Sequence, residues 1–206
     1  MPNKTKKSWF KGFSNDKYVI EAKKLGYRSR AAFKLLEIDE EFNLIAVSKK
    51  ILDIGAAPGS WSQVVQKKNK KLLSISNLAV DLLDMEPIEN VSFVKGDFQT
   101  DYVRDKINLF FKNTKIDLIL SDMSPNLTGI AVVDAANVIR LGELVLEFSI
   151  NNLCAEGIMV VKTFNSSGYS QLLEKYKKKF RRVKVKKPNS SRSDSSELFL
   201  IASGLK

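Results

Sequence analysis

Histidine is absent from this sequence of 206 residues, and Cys154 is its only cysteine. A single cysteine excludes a disulfide within the chain, and the lack of histidine excludes a Cys/His zinc cluster and a histidine general base. Any chemistry must therefore use lysine, aspartate, glutamate or serine side chains, or a bound cofactor.

Long apolar runs are missing as well. No run approaches the roughly 20 residues that a membrane-spanning helix needs, so we expect no membrane segment. The first seven residues carry three lysines but no apolar stretch follows them, which does not favour a secretion signal. We expect a cytoplasmic protein, or an organellar one, such as mitochondrial, if the source is a eukaryote whose N-terminal address is missing or cryptic.

The size and composition suit one domain with a sizeable core. The chain has 206 residues, of which 44% are hydrophobic. We predict a basic N-terminal arm over residues 1–15 and a single domain over residues 16–206.

Positive charge is abundant and unevenly placed. The formal net charge is +11, with a net of +5 over residues 1–24, +10 over residues 175–192 and −4 over the remainder. Two concentrated basic segments on an otherwise ordinary body indicate contact with a nucleic-acid backbone, although a solvated basic face kept for solubility is the simpler alternative. Trp9, Phe10 and Phe13 lie among the first lysines and could stack on bases or anchor the segment to the domain.

The stretch over residues 51–61, Ile-Leu-Asp-Ile-Gly-Ala-Ala-Pro-Gly-Ser-Trp, predicts a strand, a tight turn and the start of a helix. Gly55 and Gly59 allow sharp bending and close approach of a ligand, and the helix start offers unpaired N–H groups. This pattern is typical of a nucleotide or cofactor site. An ordinary strand-to-helix turn and a dinucleotide fold remain alternatives at this point, and the Gly-x-Gly-x-x-Gly pattern of the latter is incomplete.

Further strands alternate with helices along the chain. Strands are predicted at 73–80, 91–94, 116–120 and 157–161, with a helix over 139–153, which favours a mostly parallel α/β sheet. Two final strands, at 182–187 and 197–202, have too short a loop between them for a crossover helix, so we expect them to pair antiparallel.

Polar residues follow the predicted strands and should meet at one edge. Ligands bind beyond the carboxyl ends of parallel strands, and an antiparallel last strand begins at that same edge. The residues expected there are Gly55, Asp81, Asp97, Asp122, Lys162 and Glu197.

Four of these residues have a simpler structural explanation, whereas Glu197 at the start of a buried strand is a carboxylate that needs a partner. Asp81 could bind ribose hydroxyls or cap a helix, and Asp97 could accept from an adenine amino group or act as a cap. Asp122 could be a turn former and Lys162 could point to solvent. A second lysine, Lys34, lies in a predicted helix that Ser29 would cap, where lysines usually extend to water.

Taken together, these motifs resemble the FtsJ (RrmJ) family of S-adenosylmethionine-dependent RNA 2′-O-ribose methyltransferases. The resemblance covers nearly the whole chain and rests on the order and spacing of segments 14–19, 28–35, 51–61, 96–98, 121–126, 160–164 and 187–192. Ser60 stands where the family often has a second glycine, and residues 73–78 replace a shorter, glycine-containing approach to the second strand.

The resemblance implies a single Rossmann-like methyltransferase domain, with a seven-stranded mostly parallel sheet, an antiparallel last strand and helices on both faces. It implies a catalytic tetrad of Lys34, Asp122, Lys162 and Glu197. It also implies S-adenosyl-L-methionine as cofactor, with contacts to Gly55, Gly59, Trp61, Asp81, Asp97 and Asp122.

The mechanism that we expect is transfer of a methyl group to a ribose 2′-oxygen. Lys162 would be the general base in its neutral form, Asp122 would orient it, and Lys34 and Glu197 would form a supporting ion pair. We expect no metal, because methyl transfer develops no phosphate charge, and we expect a monomer.

The predicted partner is RNA, and the predicted target is a uridine of large-subunit ribosomal RNA. The substrate could be the naked RNA or the assembled ribosomal subunit. Transfer RNA and capped RNA are alternative substrates for the same chemistry. Two further alternatives are a non-catalytic RNA-binding protein of ribosome assembly and a nicotinamide-dependent oxidoreductase.

Overall fold

The computed structural model describes residues 16–69, 75–126 and 128–206. The predicted arm over residues 1–15, with its three aromatic residues, and the predicted start of the second strand at Leu73 lie outside this part of the chain. The helices are α1 (Lys17–Lys24), α2 (Ala31–Phe42), α3 (Ser60–Asn69), α4 (Asp101–Phe110), α5 (Ala131–Asn152) and α6 (Tyr169–Lys179). The strands are β1 (Lys50–Ile54), β2 (Ser76–Asp81), β3 (Ser92–Lys95), β4 (Ile116–Ser121), β5 (Leu153–Phe164), β6 (Phe180–Lys186) and β7 (Glu197–Leu205).

The described strands form one seven-stranded sheet in the order β3-β2-β1-β4-β5-β7-β6. Strands β1 to β5 pair parallel, whereas β7 pairs antiparallel with both β5 and β6. The order reverses between β1 and β4, which creates the crevice where open α/β sheets bind ligands. The predicted Rossmann-like architecture with an antiparallel last strand is confirmed.

Helices cover both faces of the sheet, as predicted. On one face, apolar residues of α2 and α3, including Leu35 and Trp61, cluster with residues of the sheet such as Phe199 of β7. On the other face, α4, α5 and α6 contribute Ile107, Val145 and Tyr176 to a second cluster. Among the described residues, no helix is both long and apolar enough to cross a membrane.

The carboxyl ends of the parallel strands define what we call the site edge. At the end of β1, Gly55 has a φ of +76°, and a Cβ there would lie 2.5 Å from the Met123 side chain. This residue therefore needs to be glycine on two counts, because L side chains rarely adopt that φ and because the loop after β4 packs directly on it.

The structure decides the capping interpretations of Ser29, Asp97 and Asp81. Arg30 directly precedes α2 and makes no side-chain capping bond, whereas the Ser29 hydroxyl accepts from the N–H of Ala31, the first residue of the helix, at 3.2 Å and also bonds to the Ser60 hydroxyl at 2.8 Å. Asp97 does not cap α4, because Thr100 does so by accepting from the Val103 N–H. Asp81 caps no helix, since an irregular segment follows β2.

Strand β5 is longer than predicted. It begins at Leu153 directly after α5 and continues through Phe164, so Lys162 lies within the strand rather than just beyond it. The extension is explained by β7, which pairs with β5 as far as Phe164 opposite Glu197.

Candidate active site

Lys34 and Glu197 form an ion pair that joins helix α2 to the start of strand β7. Lys34 Nζ lies 2.6 Å from Glu197 Oε2, and the two side chains are only 13% and 9% exposed. Glu197 Oε1 accepts a second hydrogen bond, from the Ser191 hydroxyl at 2.7 Å. Both carboxylate oxygens are thus engaged, which fixes the orientation of the group that holds Lys34.

The charge of Glu197 is favoured by its surroundings. Burial acts to raise the pKa of this carboxyl, but the cation of Lys34, the hydrogen bonds from Lys34 and Ser191, and the charge of Lys162 together lower it below its ordinary value. Glu197 is therefore an anion at neutral pH and keeps the pair intact.

Lys162 and Asp122 form a second ion pair at the same edge. Lys162 Nζ donates to the Asp122 backbone carbonyl at 2.5 Å and lies 2.9 Å from Asp122 Oδ1, an ion-pair distance without hydrogen-bond alignment. The side chains are 8% and 18% exposed. Two oxygens of one residue therefore position a lysine amine that is almost withdrawn from water.

The two ion pairs are neighbours on one face of the sheet. Lys162 is paired with Phe199 on the neighbouring strand, and Glu197 lies two residues before Phe199. The side chains of Lys162 and Glu197 therefore lie on the same face of the sheet as Phe199, which is the face that carries α2. Lys34 Nζ lies 5.8 Å from the centroid of the Phe199 ring. The structure thus brings together all four predicted tetrad residues, from positions up to 163 residues apart in the chain.

A cavity of about 510 Å³ opens beside Asp122 at the site edge. Its lining includes four of the predicted cofactor residues, Gly55, Asp81, Asp97 and Asp122. Asp81 accepts from the N–H groups of Ala57 and Leu83, both at 2.8 Å, and Asp97 accepts from the Gln99 N–H at 2.9 Å. These bonds orient the carboxylates and leave each with acceptor capacity for a ligand.

The sequence interpretation missed one wall of this cavity. Asn137, Arg140 and Leu141 line it from helix α5. These residues are spaced three and four apart, so they lie on one helical face. This spacing is the feature of the sequence from which a shared wall could have been predicted. They supply polar and apolar contacts opposite the carboxylates.

The other two predicted cofactor residues, Gly59 and Trp61, do not line the large cavity. A Cβ at Gly59 would lie within 2.9 Å of Arg28, Met85 and Ile88. Trp61 is 2% exposed, and its indole N–H donates to the Ala31 carbonyl at 2.8 Å. Its ring borders a smaller cavity of about 80 Å³, which Gly55 and Asp122 also line.

Arg28 supports the turn after β1 and was not singled out from the sequence. Its guanidinium donates to the backbone carbonyls of Pro58, Glu86 and Pro87 at 2.7–2.9 Å. It therefore ties the turn beside the cofactor residues to the loop after β2.

Asp53 is a second residue that the sequence interpretation missed. It is 3% exposed and lines the smaller cavity, where Oδ2 accepts from the Ser62 hydroxyl at 2.6 Å and Oδ1 has no hydrogen-bond partner in the described chain. The pKa of Asp53 is raised to about 7, mainly by burial. The nearby charges of Asp122 and Asp81 also raise this pKa, whereas the hydrogen bonds from Ser62 lower it.

Comparison with known proteins identifies the family. Residues 27–205 match the family model of the FtsJ-like methyltransferases. The chain belongs to the FtsJ-like methyltransferase family. The family resemblance predicted from the sequence is confirmed, and this methyltransferase is an enzyme rather than a binding module.

Curated relatives support the same assignment over the full length. The methyltransferase is 44% identical over 214 residues to ribosomal RNA large subunit methyltransferase E of Paraburkholderia xenovorans, covering 99% of this chain and 97% of the relative. It is 45% identical over 210 residues to the protein of that name from Janthinobacterium sp., with the same coverage.

Solved structures agree with the fold. A structure described as a ribosomal RNA methyltransferase from Plasmodium falciparum has a TM-score of 0.79 and 32% identity, covering 87% of this chain and 98% of that one. Human methyltransferase-like protein 13 in complex with SAH has a TM-score of 0.55 at 15% identity, covering 84% and 79% of the two chains, and shows the shared fold. Among the described residues, no group of three or more His, Cys, Asp or Glu side chains could hold a metal ion.

Proposed function

We propose that this methyltransferase transfers a methyl group from S-adenosylmethionine to the 2′-oxygen of a ribose in large-subunit ribosomal RNA, most specifically a uridine. The observation that carries the proposal is the Lys162 amine, held by Asp122 between the large cavity and the Lys34–Glu197 pair. The names of the full-length relatives support ribosomal RNA as the substrate class.

The residues at the site edge fit S-adenosylmethionine. The large cavity is of the size that holds a nucleoside, and Asp81 and Asp97 offer carboxylate oxygens to ribose hydroxyls and to an adenine amino group. Asp122 borders both cavities, and its anionic side chain suits a neighbouring cation. When bound, the cofactor supplies an electrophilic methyl group on a sulfonium.

Lys162 accepts the proton of the ribose 2′-hydroxyl in this proposal. A neutral amine has two N–H groups and one lone pair. The Asp122 carbonyl accepts from one N–H group, and the Asp122 carboxylate lies 2.9 Å from Nζ and holds the amine in place electrostatically. The lone pair is then left for the substrate hydroxyl. Because an ammonium has no lone pair, the group acts only in its neutral form.

Lys34 and Glu197 have a positioning role. Their pair lies on the same face as Lys162, and Lys34 brings a cation close to the place where the 2′-oxygen loses its proton. A fixed cation stabilises developing negative charge on that oxygen, and the double anchoring of Glu197 keeps the cation in place.

To test the proposal, the enzyme and a labelled methyl donor are incubated separately with large ribosomal subunits, with transfer RNA and with capped RNA. Label should enter large-subunit RNA and should be found in alkali-resistant dinucleotides, since a 2′-O-methyl group blocks cleavage at the adjacent phosphate. Label confined to transfer RNA or capped RNA would contradict the ribosomal substrate. Label in alkali-sensitive products would contradict methylation at the ribose.

A further inference from the structure

Part of the basic run over residues 175–192 lies away from the site edge. Strand β6 runs parallel to β5 at the outer edge of the sheet, so its start lies at the opposite end from the tetrad. Arg182 pairs with Ser203, which is six residues along β7 from Glu197. At about 3.3 Å per residue, this places Arg182 roughly 20 Å from the tetrad along the strand.

Some basic residues at this end are already paired. Lys175 pairs with Glu143, Lys177 with Glu174, and Arg181 with Glu156. Arg181 is also structural, because it lies against Gly204, where a Cβ would be 2.8 Å from its Nε. These cations are largely neutralised by their local partners.

Four other cations have no such partner. Lys178 and Lys179 at the end of α6 and Arg182 and Lys184 on β6 are exposed, and none forms an ion pair within the described part of the chain. Arg182 and Lys184 are two residues apart and therefore point to the same side of the strand, with their Cα atoms about 6.6 Å apart along it. We call these four residues the far-edge surface.

The far-edge surface has an alternative explanation, since lysines on edge strands discourage pairing with other chains. That role accounts for residues on β6. It does not account for Lys178 and Lys179, which belong to a helix, or for the absence of any acid between residues 175 and 192. Four unpaired cations grouped around one sheet corner are instead suited to phosphates.

We propose that the far-edge surface binds the phosphate backbone of the substrate RNA at a distance from the nucleotide that is methylated. This inference rests on the proposed function for the identity of the RNA. A span of about 20 Å corresponds to about six nucleotide steps along one strand of a duplex, at ~3.4 Å per step. The enzyme therefore engages a folded or extended RNA rather than an isolated target loop.

The test compares two quadruple variants that remove the same amount of charge. In the first, Lys178, Lys179, Arg182 and Lys184 are replaced by glutamine. In the control, four exposed lysines that are away from strand β6 are replaced by glutamine, namely Lys49, Lys106, Lys112 and Lys115, which lie on α4, in the turn after it or just before β1 and β4. Fluorescence anisotropy measures binding across a range of salt concentrations. The two ligands are purified large-subunit ribosomal RNA and an oligoribonucleotide shorter than six nucleotides.

The far-edge variant should bind the long RNA at least tenfold more weakly, and the slope of log affinity against log salt should fall by about 3, since each lost phosphate contact removes about 0.7–0.9. The short oligonucleotide should bind both variants equally. Equal, small effects of the two quadruple variants on the long RNA would overturn the proposal and assign the charges to edge protection. A single Lys184→Glu variant gives the same direction of change if the quadruple variant does not fold.

The binding measurement contains no methyl donor, so it is independent of the reaction. If label never enters RNA but the salt slopes differ, the proposed function fails and the far-edge surface stands. If methylation proceeds and the slopes are equal, only the far-edge surface fails.

Discussion

The site edge and the far-edge surface use the same residue type in opposite ways. At the site edge, Lys162 and Lys34 are 8% and 13% exposed and each lies within 2.9 Å of a carboxylate oxygen. At the far edge, Lys178 and Lys184 are exposed, and neither forms an ion pair within the described part of the chain. Burial and pairing give a lysine a fixed position for chemistry, whereas exposure leaves its charge available for binding. Substitutions can separate these two uses, and the largest effect is expected at Lys162.

Replacing Lys162 with alanine should abolish nearly all turnover. Loss of a general base typically costs 10²–10⁴-fold, and no histidine is available as a substitute. Affinity for S-adenosylmethionine should change little, because the side chain of Lys162 does not line the large cavity. Turnover and calorimetric cofactor binding are measured together, with the exposed Lys106→Ala as the control. Retention of a tenth of wild-type turnover, a loss of only about 1.4 kcal/mol, would refute the assignment.

Replacing Lys34 with alanine should lower the free energy of unfolding by about 3 kcal/mol, because Glu197 would remain as a buried anion without its cation. Adding Glu197→Gln to this variant should restore part of the loss. Urea unfolding of both single variants and the double variant gives the coupling energy. Strictly additive losses would show that the pair is not coupled.

Replacing Asp53 with asparagine should change how stability depends on pH. The pKa of Asp53 is raised to about 7 in the fold from its ordinary 3.8, so the folded state binds the proton more tightly and wild-type stability falls as pH rises from about 4 to about 7. Between pH 5 and pH 8, the wild type should lose roughly 2–3 kcal/mol relative to the variant, at 1.36 kcal/mol per pH unit. Urea unfolding at both pH values measures this. Parallel pH profiles would mean that Asp53 is already ionised at pH 5.

Replacing Arg28 with alanine should have the smallest effect. The free energy of unfolding should fall by about 1 kcal/mol, because the three carbonyl groups that bond to Arg28 can accept hydrogen bonds from water instead. The KM for S-adenosylmethionine should rise, since Arg28 fixes the turn beside Gly55. The salt dependence of RNA binding should stay unchanged. A reduced salt slope would place Arg28 among the phosphate contacts instead.

The architecture was predictable from the sequence because strand and helix patterns alternate, and because the short loop before β7 allows only an antiparallel return. Asp122, Lys162 and Glu197 could be assigned to one edge for the same reason, although the length of β5 could not. The Lys34–Glu197 contact was accessible only through family resemblance, since it joins a helix to a strand 163 residues away.

The residues that were missed or misplaced depend on packing. Trp61 follows a glycine turn, but its burial is fixed by Phe199 and the Ala31 carbonyl, which lie in other parts of the chain. The guanidinium of Arg28 donates to backbone carbonyls, and because every residue has such a carbonyl, the sequence does not reveal these partners. Asp53 reads as an ordinary strand residue until the neighbouring carboxylates of Asp81 and Asp122 are placed beside it.

The central claim is that paired lysines at the site edge carry out the chemistry and that unpaired cations at the far edge hold the RNA. The most direct test is the single-turnover methylation rate at saturating RNA for the wild type, Lys162→Ala and the far-edge quadruple variant. We predict that Lys162→Ala falls at least 100-fold, in the usual range for a lost general base, and that the quadruple variant matches the wild type once RNA is saturating. A quadruple variant that is as slow as Lys162→Ala, or a Lys162→Ala variant that is as fast as the wild type, would contradict the account.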